Sequence, residues 1–109
     1  MTLPLLSRPV LDDLGGVIGG EKLQRLLVRF TDSLRTAFPK ASLEPDAVAR
    51  EAHTLISMSG MLGCEQLSSA CRDLEAQAKG GSDLGPALAE IRALRDETVR
   101  ALEAVAQPR

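Results

Sequence analysis

The chain has 109 residues, with thirteen Lys and Arg against fifteen Asp and Glu, a formal charge of −2 and a pI near 5.4. That balance lacks the basic footprint that holds a protein on DNA, RNA or anionic lipid, so neither nucleic acid nor a membrane surface is an expected partner. At 44% hydrophobic and 26% charged residues it reads as one globular domain spanning 1–109, with its core in about 8–105.

Phe30 and Phe38 are the only aromatics, and Leu and Ala dominate the apolar set, so strand-forming residues are scarce and an all-α chain is expected. Ser7-Arg8-Pro9 offers a cap and a first-turn Pro for a short helix carrying Val10, Leu11, Leu14 and Ile18, stopped by Gly19-Gly20. From Glu21 to Phe38, Leu23, Leu26, Leu27, Phe30, Leu34, Ala37 and Phe38 recur at helical spacing, and Pro39 ends the run. A third helix begins around Glu44-Pro45-Asp46 and reaches about Leu62, with Val48, Ala52, Leu55, Ser59 and Leu62 as its core stripe. The fourth starts at Cys64-Glu65, turns Cys64, Leu67, Cys71, Leu74 and Ala78 to one face, and stops at Gly80-Gly81, with Arg72 and Lys79 toward its negative end. Ser82 caps the fifth, whose face reads Leu84, Leu88, Ile91, Leu94, Thr98, Leu102 and Val105. Four long amphipathic helices joined by short connections predict an antiparallel, up-down-up-down four-helix bundle with a short extra N-terminal helix.

No apolar run approaches the roughly 18 residues needed to cross a bilayer, and Met1-Thr2-Leu3-Pro4 lacks the charged n-region of an export signal, which points to a cytoplasmic protein. Cys64 and Cys71 lie seven residues apart on one helix, about 10.5 Å of rise, beyond the roughly 7 Å reach of a disulfide, so both are expected as buried, reduced thiols. With His53 on the opposite side of the neighbouring helix they make no metal set, and no metal ligand is predicted. No phosphate-binding glycine loop follows a strand, so intrinsic kinase activity is not expected.

His53 is the only histidine. It lies about 160° around the helix from Leu55 and so faces water. Arg50, Ser57 and Gly60 share its ridge, a cation and two residues too small to wall off the imidazole. Gly60, costly inside a helix, reads either as a place where another backbone approaches closely or as the start of the helix's fraying end. A neutral imidazole keeps one ring nitrogen unprotonated and is a usable acceptor for a phosphoryl group, whose transfer depends mainly on positioning and charge stabilisation.

The run Ala52-His53-Thr54-Leu55, then Gly60-Met61-Leu62-Gly63-Cys64, then Cys71-Arg72-Asp73-Leu74-Glu75 resembles the histidine-containing phosphotransfer (HPt) family, over roughly residues 8–105. The resemblance implies a four-helix bundle in which His53 is the phosphoacceptor that exchanges a phosphoryl group with receiver-domain aspartates. Two positions depart from the family pattern: Ile56 stands where a Lys is usual and Ser57 where a Gly is usual. Arg50, one turn before His53, is the candidate for the missing cation. Docking is expected through Ala49, Ile56, Ser57 and Gly60, with Ile56 read either as an exposed apolar contact or as a half-buried edge of the core stripe. The implied role is a bacterial two-component phosphorelay intermediate without cofactor of its own, Mg²⁺ belonging to the partner receiver. Expected partners are response-regulator receiver domains and, as a second class, a hybrid histidine kinase, with the chain itself a monomer. The competing reading is a non-phosphorylated docking or inhibitory module that binds a receiver or kinase.

Overall fold

Five helices form in the predicted order in a computed structural model that describes residues 2–39, 44–81 and 83–106. They are α1 (Arg8–Ile18), α2 (Gly20–Thr36), α3 (Pro45–Met61), α4 (Glu65–Lys79) and α5 (Gly85–Ala106), and the described residues contain no strand. Ser7 caps α1, its hydroxyl accepting the Val10 N–H at 3.4 Å, with Pro9 in the first turn. Pro45 opens α3, and Asp46 places a negative charge at its positive end. A single residue, Gly19, ends α1 and begins α2 at φ 91°, a conformation that a side chain would strain.

The apolar stripes close on one another. Leu27, Phe30 and Leu34 of α2, Ala52 and Leu55 of α3, Leu67, Cys71 and Leu74 of α4, and Leu88, Ile91 and Leu102 of α5 are all buried in one core that α1 reaches through Leu11. Leu94 and Val105, at the edge of the α5 stripe, are half-buried. α3 and α4 are antiparallel neighbours across a three-residue turn, and the Ser68 hydroxyl of α4 donates to the Ile56 carbonyl of α3 at 3.1 Å. α5 runs antiparallel to α2: Arg92 reaches Phe38, Arg95 reaches Ala37, and Glu103, further along α5, pairs with Arg35. Buried Thr31 and Thr98 satisfy their hydroxyls on the carbonyls one turn back, at 2.6 and 2.7 Å.

The α3–α4 turn requires its glycine. Gly63 has φ 79°, and a Cβ there would lie 2.9 Å from the Ser7 carbonyl oxygen. The Ser7 N–H donates to the Gly63 carbonyl at 2.8 Å, so the segment before α1 is tied to the turn beyond His53.

Element ends differ from the sequence reading in three places. α2 stops at Thr36, not Phe38, because Ala37 turns to extended backbone and Phe38 takes φ 52°. The Phe38 N–H, which would otherwise extend the helix, donates to the Glu51 carboxylate at 2.7 Å, while the ring stays buried. α3 stops at Met61, with Leu62 buried in the turn. Ser82, the expected cap of α5, lies outside the described residues; the Asp83 carboxylate accepts the Gly85 N–H at 3.1 Å, and Leu84 is buried just before the helix begins.

Candidate functional site

α3 carries two faces that differ sharply in environment. Ala52 and Leu55 are buried, whereas the His53 side chain between them is 74% exposed. Backbone hydrogen bonding makes the helix stiff at this point, so the ring is held out from a rigid support.

The antiparallel register of α4 brings Glu75 opposite His53. Glu75 Oε2 lies 3.0 Å from His53 Nδ1 and 3.1 Å from Lys79 Nζ, so one carboxylate oxygen serves both. The Glu75 side chain is only 17% exposed, in contrast to its two partners. Its carboxyl is held below the ordinary carboxylate range chiefly by the hydrogen bond from Lys79, which outweighs the opposing effect of burial, and the positive charges of Lys79 and His53 add to the depression. An ionised carboxylate only accepts hydrogen bonds. The proton of this contact therefore sits on His53 Nδ1, and in the neutral ring the lone pair is on Nε2. The arrangement is that of a histidine oriented by a carboxylate, with its other nitrogen available to an electrophile.

A shallow groove lined by Ala49, Arg50, His53, Thr54, Glu75 and Lys79 surrounds the ring. Arg50 is exposed there, one turn before His53 as its spacing predicts, but among the described residues it makes no ion pair. Ser57 and Gly60 are exposed along the same ridge. Ala49 corrects the expectation of docking surface: it is only 8% exposed, because it borders the core stripe, and it contributes to the groove floor. Ile56 is half-buried and packed against the core, so its side chain belongs to the bundle more than to a free surface. Gly60 is not demanded by this chain's own packing, since a Cβ there would meet only the Ser68 hydroxyl at an ordinary 3.6 Å.

Sequence reasoning passed over the roles of Glu75 and Lys79. Lys79 was legible as a helix-end cation and as the i+4 partner of Glu75, a pairing that stabilises helices anywhere; its relevance to His53 depends on the register between α3 and α4. Cys64 and Cys71 are buried free thiols, each pushed up to about 12, by burial and, for Cys71, also by the charge of Glu51. Such thiols stay protonated and unreactive. Among the described residues no cluster of His, Cys, Asp and Glu is arranged to hold a metal, and no helix is long and apolar enough to cross a membrane.

A family profile described as the Hpt domain matches residues 21–107. The matched span takes in α2 to α5 and leaves α1 outside it. Neither a curated protein nor a solved structure gives a significant match.

Proposed function

Because the chain belongs to the Hpt domain family, whose members are phosphotransfer modules of phosphorelays, we propose that His53 is the residue through which this protein passes a phosphoryl group. The observation that carries the reading is the 3.0 Å contact of His53 Nδ1 with the ionised Glu75 carboxylate on an otherwise exposed ring, which puts the proton on Nδ1 and leaves Nε2 with the lone pair. In the forward step that lone pair attacks the phosphorus of an aspartyl phosphate on a receiver domain. The new N–P bond forms as the P–O bond to the aspartate breaks, and the electron pair leaves with the aspartate carboxylate. Positive charge develops on the imidazole as Nε2 is consumed, and the Glu75 carboxylate, 3.0 Å from Nδ1, stabilises it. The reverse step hands the group to a second aspartate, and the proton kept on Nδ1 makes the ring a better leaving group.

The bundle itself supplies no nucleotide pocket in this reading. It presents the acceptor, and Mg²⁺ would sit on the receiver, where phosphoryl transfer needs charge neutralisation. The partners it implies are response-regulator receivers of bacterial two-component pathways and a hybrid histidine kinase, met in the cytoplasm by a monomer.

Incubation with a phosphorylated receiver should transfer acid-labile, base-stable label to the wild-type chain and none to His53→Gln. As His53 is exposed, that variant should keep its thermal midpoint within about 2 °C. Receiver binding without label on the wild type, across the receivers of the source organism, would instead establish a docking or inhibitory module.

A further inference from the structure

The family resemblance leads one to expect a cation on α3 itself, yet Ile56 occupies that position and is packed into the bundle edge. The cation joined to the histidine's own partner comes from the other helix. Lys79 stands one turn beyond Glu75 on α4, and its Nζ meets the same Oε2 that accepts the His53 Nδ1–H. The two nitrogens are thereby no more than about 6 Å apart.

We propose that Lys79 is a positioning residue for phosphoryl acceptance, holding the Glu75 carboxylate on His53 Nδ1; the inference rests on the reading of His53 as phosphoacceptor. A glutamate side chain has several rotatable bonds, and fixing one oxygen against an exposed ring costs conformational entropy. An ammonium at i+4 restrains that oxygen from its own helix, so the contact with His53 has fewer alternatives to compete with. The Lys79 side chain is 68% exposed and is not committed to the core. Its charge also keeps the carboxylate an acceptor, in line with the depressed titration of Glu75. Without this restraint, the ring returns toward the tautomer that an unpartnered histidine favours in water, with the proton on Nε2. That tautomer has no lone pair where the phosphorus must be attacked.

The test combines two measurements on the full chain. Nitrogen-15 NMR reads the His53 tautomer in the unphosphorylated protein, and transfer from a phosphorylated receiver is followed to saturation. Lys79→Gln should raise the population protonated on Nε2 and slow the saturated transfer about three- to fivefold, the scale of an exposed ion pair, leaving the half-saturating receiver concentration unchanged. Lys79→Arg should restore both. In a Glu75→Ala background, itself slower by about tenfold for loss of one charge-assisted hydrogen bond, Lys79→Gln should add nothing. The proposal is overturned by a tautomer population that ignores Lys79→Gln, by an equal slowing when Glu75 is already absent, or by an effect confined to the half-saturating concentration. Should the wild type take no label, the phosphoacceptor reading fails, while the tautomer comparison still decides whether Lys79 positions the ring through Glu75.

Discussion

Two polar assemblies join helices in this bundle, and they are built on opposite terms. At the α2–α5 seam, Arg92 donates to the Phe38 and Pro39 carbonyls at 2.8 and 3.1 Å, Arg95 to the Ala37 carbonyl at 2.6 Å, and Glu51 of α3 accepts the Phe38 N–H at 2.7 Å. These charges end on backbone groups that have left the helical ladder, and the buried Phe38 ring is set among them. At the α3–α4 face, His53 and Lys79 both meet the Glu75 carboxylate beside an open groove, and neither of these two contacts is to backbone. Side chains that satisfy orphaned main-chain groups fix a chain path, whereas side chains that satisfy only each other leave an atom over for a partner.

Phe38 anchors the chain path where α2 ends. Phe38→Ala removes a fully buried ring and should destabilise the fold by about 3–5 kcal/mol, measured by denaturant unfolding, while the folded fraction keeps its transfer rate. A loss of transfer beyond the loss of folded protein would break the separation between the two assemblies. Arg92→Met leaves two carbonyls without their charged donor and should cost about 1–2 kcal/mol, again with transfer per folded molecule unchanged.

The smallest effect sharpens the other side. The Glu75 carboxyl titrates below the ordinary carboxylate range, so its bond to His53 is fully present above that range, survives acidification through it, and is lost only as pH falls through the depressed folded value. Carbon-13 titration of the Glu75 carboxyl should place its midpoint below those of the exposed glutamates. Lys79→Gln should move it upward toward them, since Lys79 is the main cause of the shift. An unmoved midpoint would mean that Lys79 and Glu75 are not coupled in solution.

Much of the fold was legible because burial and helical period agree along nearly every segment. Val48, Ala52, Leu55 and Ser59 on α3, Leu62 in the turn after it, and Leu67, Cys71, Leu74 and Ala78 on α4, are buried as their spacing predicts, and His53 is exposed for the same reason. Periodicity misjudged Phe38, which has the spacing of a helical residue but reaches the core from a left-handed backbone. The end of α2 is decided by Glu51, Arg92 and Arg95, which lie 13 to 58 residues away from the groups they hold. Ala49 and Ile56 were harder still, because both lie at the boundary of the stripe, where a few degrees of helix rotation decide between surface and interior.

The sequence alone determined a helical chain, the order and faces of its five helices, and the display of a single imidazole on the polar side of α3, because each follows from local chemistry repeated every three or four residues. Only the tertiary structure decided which nitrogen of that imidazole is engaged and by what. Glu75 and Lys79 meet His53 through the register of two antiparallel helices, and a register is fixed by how whole faces interlock rather than by any one segment.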